Sequence, residues 1–387
     1  MNFDASALNQ DAMQAMANRR LPEARRLLAE AIRLDPNLLS ARMNLAVVQR
    51  LEGDLAGAMA TLDAVRKIDP LFFPALMMRG ALFEEMGKRR MAAGAYNIAL
   101  TQMPPDQFQD MPTRRAIAHA LELHAGFREE MHQYLKRDGL PTGHSLPAQR
   151  MNHFVDRISG KRRAYRSQPT NFDYPGLPSI EIYDRDLFPW LPELEAATPV
   201  IQSELMGVFD DEVAASDIEP YTQKPDDEPI EQWGELNHSR RWSAYHFAFY
   251  GKQYPEHRKK CPQTVALLDR FPQPRIANRS PASMFSILQP KVHIPPHNGV
   301  ANFRLLCHLP LILPPDCRLR VGSTTREWVM GEAFVFDDTI EHEAWNDSDQ
   351  MRTVMIFDIW HPFLTDDEKE FITRILADLD AFNAQEG

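Results

Sequence analysis

Three prolines set a fixed step along the first third of this 387-residue chain. Pro36, Pro70 and Pro104 stand 34 residues apart, and other positions keep the same interval. Ala24, Ala58 and Ala92 precede the prolines by 12 residues, Ala12, Ala46 and Gly80 by 24, and Ala31, Val65 and Ala99 by five. Small side chains recurring at helical positions let two antiparallel helices approach closely, and a proline stops the second helix of each pair. Gly53 and Gly87, also one interval apart, suit the turn between helices; Arg19 occupies that place in the first unit. The step therefore dictates three stacked helix–turn–helix units.

This pattern resembles the tetratricopeptide repeat, a helical hairpin of that period. Residues 105–135 are expected to add a capping helix pair. Stacked hairpins present a concave surface suited to peptide segments. The same surface can equally serve only to pack on a neighbouring domain or to support a dimer.

Charge and cysteine content narrow the classes open to the whole chain. A formal charge of −11 opposes general nucleic-acid binding, which needs clustered Lys and Arg on phosphates. Cys261, Cys307 and Cys317 are the only cysteines, which fits a reducing compartment and no disulfide framework. Cys307 and Cys317 read as small core residues of strands. No apolar run is long enough for a membrane span, and Met1–Asp4 lacks the start of a signal peptide. The expected location is cytoplasmic.

Residues 136–178 read as a linker, punctuated by Gly139, Pro141, Gly143, Pro147, Pro169, Pro175, Gly176 and Pro178, with one helix near Ala148–Ile158. Lys161, Arg162, Arg163 and Arg166 form a small basic cluster, read as a solvated face. After Leu187-Phe188-Pro189-Trp190 a helix of about 20 residues is expected to end near Gly207, and Asn237–Phe247 reads as a strand. Short strands then crowd together at Met284–Leu288, Phe303–Leu313, Cys317–Val321, Glu327–Val329, Ala333–Phe336 and Thr353–Trp360, which suggests a jelly roll. Thr365 and Glu368 make a capping box for a closing helix.

Within that region His297 and His342 stand out. His297 is expected at a turn after one strand, and His342 on a loop leading to the next. Strand alternation aims every second side chain into a barrel mouth, so the two imidazoles can converge although 45 residues separate them. Neutral imidazole suits Fe(II), and the usual oxygenase triad adds a carboxylate. Here the position two residues after His297 is Gly299, which cannot ligate. The residues alone leave open a two-His site or no metal at all.

From Pro175 to Phe371 the chain resembles the aspartyl/asparaginyl β-hydroxylase family of 2-oxoglutarate oxygenases. The matching segments are Leu187-Phe188-Pro189-Trp190, Pro295-Pro296-His297-Asn298-Gly299, His308-Leu309, Val335-Phe336-Asp337-Asp338, Glu341-His342-Glu343 and Asp358-Ile359-Trp360-His361-Pro362. The resemblance implies a two-His metal site without a carboxylate, with His297 and His342 as ligands. It implies that Arg352 pairs with the distal carboxylate of 2-oxoglutarate, since a guanidinium fork fits a carboxylate bidentately. Ser286 matches a hydroxyl donor to that co-substrate, and His308 a contact to it near the iron. Asp338 is the candidate catalytic carboxylate, Trp242 a wall of the cofactor pocket, and Arg304 the grip on an acidic group of the prime substrate. The animal peptide hydroxylase has a second Arg two residues later, where this chain has Leu306; that departure puts an aspartyl substrate in doubt.

The expected fold is α+β and multidomain. A tetratricopeptide repeat domain (1–135) and the linker (136–178) precede a double-stranded β-helix, or jelly-roll and cupin-like, domain with flanking helices (179–387). The implied activity is a dioxygenase using Fe(II), 2-oxoglutarate and O2 to hydroxylate an unactivated C–H, at the β-carbon of Asp or Asn or another residue of a peptide or protein. Three readings compete with it: a lipid or small-molecule hydroxylase of the same family, a repeat scaffold with an inactive barrel, and a cupin-like metal enzyme independent of 2-oxoglutarate. Asp337 reads as a turn residue, and His293 and His361 as structural or solvated.

Overall fold

The computed structural model describes residues 4–139, 146–225, 227, 229 and 231–384. Pro141 and Gly143, read above as linker punctuation, and Met1–Phe3 lie outside the described residues. The chain divides into two compact units, one containing residues 4–139 and 158–161, the other 146–157 and 162–384.

The first unit follows the 34-residue step. Its hairpins are α1 (Ala5–Ala17) with α2 (Leu21–Leu34), α3 (Leu39–Leu51) with α4 (Leu55–Ile68), and α5 (Phe73–Glu85) with α6 (Arg89–Leu100). The recurring small residues Ala12, Ala24, Ala31, Ala46, Ala58, Val65, Ala92 and Ala99 are all fully buried. Gly80 shows why one of them has no side chain: a Cβ there would overlap the Tyr96 ring. Arg19, Gly53 and Gly87 all take the left-handed turn conformation, with φ of 58°, 81° and 70°. The expected capping pair is instead one 3₁₀ turn, Asp106–Phe108, and one long helix, α7 (Met111–Lys136). Pro112 does not break α7 because it stands in the first turn, where its missing N–H has no partner to lose. A further helix, α8 (Leu146–Ile158), follows.

The second unit begins with α8, all but the last residue of which belongs to it, and continues with a strap. The N–H groups of Gln168, Thr170 and Phe172 donate to the carbonyls of Thr339, Gly299 and Val300 at 2.8, 2.9 and 2.9 Å. The stretch from Arg162 to Pro178, read as connector, is thereby built into this unit. Arg162 corrects the solvated-face expectation: it is largely buried, 2.8 Å from Glu181 and bonded to Ser323 and Thr324. The helix expected after Trp190 is broken at Ala197 into α9 (Leu191–Ala196) and α10 (Thr198–Asp210), with Pro199 restarting it. Next come α11 (Glu212–Ser216), β1 (Glu219–Pro220), β2 (Trp242–Phe249), β3 (Lys252–Gln253), α12 (Pro255–Lys260) and α13 (Pro262–Leu268). The strand read from Asn237 thus starts five residues later.

The remaining strands are β4 (Ser283–Leu288), β5 (Val292–His297), β6 (Arg304–Ile312), β7 (Cys317–Val321), β8 (Thr324–Glu327), β9 (Phe334–Phe336), β10 (His342–Asn346) and β11 (Arg352–Trp360), and α14 (Asp366–Asn383) closes the unit. They form two antiparallel sheets. One has the order β1-β2-β4-β11-β6-β9, with β3 on β2; the other runs β5-β10-β7-β8. Alternation divides the larger sheet by parity. Odd residues such as Phe285, Leu305, Cys307, Met355 and Phe357 pack with α9, α10 and α13. Even residues such as Trp242, Leu288, Val354 and Phe336 face the smaller sheet, meeting Ile294, Leu319 and Ala344. The interior between the sheets is where even-numbered polar residues must also point.

Two expectations change here. Pro295-Pro296 is not a turn but part of β5, an edge strand, and both prolines fall at the register shift where neither has a partner on β10. His342 is not on a loop but opens β10. The two histidines end up as direct partners across the β5–β10 pair.

Candidate active site

The pairing of the two histidines depends on one irregularity. Ile294 pairs with Ala344 and His297 with His342, so three steps on β5 match two on β10. Such a β-bulge shifts strand phase by one residue and re-aims a side chain. Without it His297, at odd spacing from Ile294, would turn outward. With it, the imidazole centroids lie 4.0 Å apart.

Both rings are set in one tautomer. His297 Nδ1 lies 2.8 Å from the Pro295 carbonyl and His342 Nδ1 3.1 Å from that of Ile340. A carbonyl only accepts, so Nδ1 carries the proton and Nε2 keeps its lone pair, the arrangement that orients a metal-binding His. Burial, then its neighbour His342, pushes the His297 pKa down to about 3. Burial likewise holds His342 at about 4. Both are neutral at ordinary pH, as metal ligation requires. Among the described residues no group of three or more His, Cys, Asp or Glu gathers as a metal site; the pair stands without a third protein ligand.

The place for that third ligand is filled from elsewhere. A Cβ on Gly299 would overlap the Asp338 carboxylate, and the Gly299 N–H donates to the Asp338 carbonyl at 2.6 Å. Asp338 is buried, which raises its pKa against the opposing pull of Arg304 and His297. Arg304 Nη1 lies 3.2 Å from Asp338 Oδ2, and its Nε 4.0 Å from Asp358 Oδ2. Asp358 is fully buried, accepting from the Ala282 N–H at 3.0 Å and from Ser280 Oγ. The residue expected to grip an acidic substrate therefore stands between two carboxylates of its own chain.

On the larger sheet Trp242, Ser286, Arg304, His308, Arg352 and Asp358 share even parity. Trp242 Nε1 donates to Ser286 Oγ at 3.2 Å, which leaves the hydroxyl proton free to donate elsewhere. Arg352 is 1% exposed, and its guanidinium lies 4.9 Å from the Trp328 ring centroid. Burial lowers its pKa to about 10. Among the described residues Arg352 makes no ion pair, and its Nε, both ring nitrogens of His308 and the Trp328 indole N–H are buried without hydrogen-bond partners. Each such orphan costs about 1–3 kcal/mol, and a lone buried cation costs more. This cluster is complementary to a small anion with several acceptor oxygens. The donor set thus fits both a divalent metal at the imidazoles and a dicarboxylate at Arg352.

The strand expected at Glu327–Val329 ends instead at Glu327, and Trp328 lies on the loop beyond it. Sequence reasoning gave no role to Trp328 or to Trp233, whose ring is 5.0 Å from His297. It also gave Asp358 no role, although Asp358 has the parity of Arg352 on one strand. Asp337 behaves as a turn residue, accepting from the Thr339 N–H at 2.9 Å. His361 is buried against the Tyr183 hydroxyl at 2.8 Å, and exposed His293 pairs with Glu343 at 2.8 Å. Cys307 and Cys317 are buried and free.

Likeness to known proteins follows the same division. The family model for aspartyl/asparaginyl beta-hydroxylase matches residues 195–362, and that for the tetratricopeptide repeat matches residues 15–79. The chain is 30% identical over 190 residues to the aspartyl/asparaginyl beta-hydroxylase of Homo sapiens, covering 48% of this chain and 24% of that protein. It is 32% identical over 216 residues to the ornithine lipid ester-linked acyl 2-hydroxylase of Rhizobium tropici, covering 54% of this chain and 72% of that protein. With aspartate beta-hydroxylase domain-containing protein 2 of Xenopus tropicalis it shares 28% identity, covering 54% and 55%. The chain spans about a quarter of the human relative's length.

Proposed function

The chain belongs to the aspartyl/asparaginyl β-hydroxylase family, and from that premise we propose that it is an Fe(II)- and 2-oxoglutarate-dependent dioxygenase. The proposed reaction is hydroxylation of an unactivated C–H, at the β-carbon of Asp or Asn or at another residue of a peptide or protein. The observation that carries this reading is Arg352: a buried guanidinium without an anion, beside His308 with both nitrogens unpaired, on the sheet that faces two neutral imidazoles.

In this reading His297 and His342 hold the metal through Nε2. Iron with 2-oxoglutarate and O2 supplies the oxidising power that no side chain has. Arg352 takes the distal carboxylate as a bidentate partner. Ser286 donates its free hydroxyl proton to the same group, with its oxygen fixed by the Trp242 indole. His308 contributes a further hydrogen bond. Asp338 offsets the charge that a ligand at position 299 would have carried, and Arg304 holds that carboxylate in place. The apolar side chains of the inter-sheet core keep water away from the reacting C–H. We further propose that the repeats recruit the peptide, in the cytoplasm; no described helix is long and apolar enough to cross a membrane.

One observation favours a second substrate class. Arg304 is already paired with Asp338 and Asp358, and Leu306 supplies no cation. One relative, of which the chain covers 72%, is named for an acyl 2-hydroxylase. A lipid acyl chain is therefore the alternative substrate.

The test is Fe(II)-dependent binding of 2-oxoglutarate together with succinate release under O2, for wild type, His342→Ala and Arg352→Ala. The expected result is slow succinate release in wild type, its loss in His342→Ala, and 2-oxoglutarate affinity lowered at least ~100-fold in Arg352→Ala. Absence of both turnover and metal-dependent 2-oxoglutarate binding in wild type would overturn the proposal. Peptide and acyl-lipid panels, scored by the increase in succinate release, separate the two substrate classes.

A further inference from the structure

Helix α14 has two apolar faces where one would be enough to fix it. Ile372 and Leu376 are buried against Phe172, Tyr174 and Leu177. The Thr365–Glu368 capping box fixes its start. Two 2.5 Å contacts between Arg279 and Asp380 fix its far end. Yet Phe371, Ile375, Leu379 and Phe382 remain 47%, 43%, 38% and 64% exposed. At 3.6 residues per turn these four fall within an arc of about 80°. The first three form an i, i+4, i+8 ridge, the type that packs against a like ridge on another helix.

We propose that this ridge is a self-association surface on which α14 of a second copy packs antiparallel about a two-fold axis. The pattern is self-complementary in register. In an antiparallel pair Phe371 of one copy meets Phe382 of the other about a centre between residues 376 and 377. Ile375 meets Leu379 about residue 377. Arg374 and Asp378, both on one flank of the ridge, meet their opposites about residue 376. Three independent pairings thus agree on one centre to within a residue. A two-fold of this kind brings like flanks together, and an isologous interface requires such self-matching. In the single chain Arg374 Nη1 and Asp378 Oδ2 are only 3.7 Å apart, with both side chains about two-thirds exposed. Association exchanges that weak contact for two cross-helix ion pairs at the rim of an apolar seam. The inference rests on α14 alone and is independent of the oxygenase reading.

Four apolar side chains per copy make a seam smaller than a standard interface, so the expected dissociation constant is on the order of 10 µM. Sedimentation equilibrium of the full chain, from about 1 to about 200 µM, tests it. Wild type is expected to pass from monomer to dimer over that range, and Ile375→Lys to stay monomeric. Arg374→Asp and Asp378→Arg each place like charges across the seam twice, and each alone is expected to weaken the dimer about tenfold or more. Mixed in equal amounts they restore opposite charges at both contacts and are expected to associate like wild type. An intrahelical role for the pair does not produce that recovery on mixing. All the changed side chains are exposed, and unchanged far-UV circular dichroism checks the fold. A monomeric wild type over the whole range would overturn the proposal. So would a dimer indifferent to Ile375→Lys, or single variants that fail to associate when mixed.

Discussion

Arg352 shows what one residue's surroundings can demand. A buried guanidinium with Trp328 beneath it and no carboxylate beside it destabilises the ligand-free fold. Removing the charge while keeping the volume should relieve that cost. Arg352→Met is expected to raise the thermal midpoint of the metal-free, co-substrate-free protein and to abolish the further rise that 2-oxoglutarate gives wild type. Differential scanning fluorimetry reads both effects, and a variant less stable than wild type that still responds to 2-oxoglutarate would contradict the assignment. The imidazoles make a second demand. An ordinary histidine pair loses metal as pH falls through about 6.5, because protons compete for the lone pair. With His297 held at about 3 and His342 at about 4, that competition moves well into the acid range. Calorimetric Kd values for Co(II) are expected to stay level, within about threefold, from about pH 5.5 to 7.5. A loss of about thirtyfold between pH 6.5 and 5.5 would mean that both rings are ordinary imidazoles.

At the scale of elements, the repeat hairpins offer a controlled comparison. Three equivalent turns adopt φ between 58° and 81°, two with glycine and one with Arg19. A Cβ at Gly53 or Gly87 meets nothing within 4 Å, so a substitution there is charged only the left-handed backbone, about 1 kcal/mol. Arg19→Gly is expected to stabilise the first unit by about that amount, and Gly53→Ala to destabilise it equally. Thermal melts of the full chain measure both, and equal signs for the two changes would refute the turn argument. These hairpins were legible in the sequence because each repeat restates the same small residues and the same stop. Strands β4, β6, β7 and β11 were legible as short, largely apolar runs bounded by turn residues, although only β7 alternates in burial. What hid was local exception. Two prolines concealed β5, since only the sheet order reveals that it is an edge. His342-Glu343-Ala344-Trp345-Asn346 concealed β10, because a strand paired on both sides can still carry polar residues outward. The bulge that turns His297 inward has no signature except the mismatch of three steps against two. His297, His342 and Arg352 were singled out as candidates by their local segments and the family resemblance; that the two histidines are cross-strand partners was not visible there. Arg304's attachment to Asp358 required knowing that β6 and β11 are neighbours in register.

Across the whole molecule, acid should act chiefly on the second unit, because that is where buried titratable groups collect. Burial lowers the pKa of His246, His297, His308, His342 and His361. It raises Asp337 to about 7, Asp358 to about 6, and Asp338 as well. The two sets pull in opposite directions. Each histidine has a folded pKa below its unfolded value. The stability it carries is complete above about pH 6.5 and is lost as pH falls toward the folded values. Each carboxyl has a folded pKa above its unfolded value, so its stability is complete below about pH 3.9 and is lost as pH rises through the folded value, about 7 for Asp337 and about 6 for Asp358. Between pH 6.5 and 5 the unfolded chain gains protons at these five histidines and at His153, whose pKa burial also lowers, while the folded chain gains them at no more than three carboxyls. The balance favours the unfolded state by on the order of 2 kcal/mol. For a unit of this size that is a fall of about 4–8 °C in midpoint. Calorimetry of the metal-free full chain at a series of pH values is expected to find that fall below pH 6.5 in the second unit's transition. A divalent metal should steepen it, because the ion stabilises only the folded chain and depends on the same neutral imidazoles. A midpoint that rises on acidification would mean that the carboxyls outweigh the histidines, and that the imidazole pair is not held neutral by the fold.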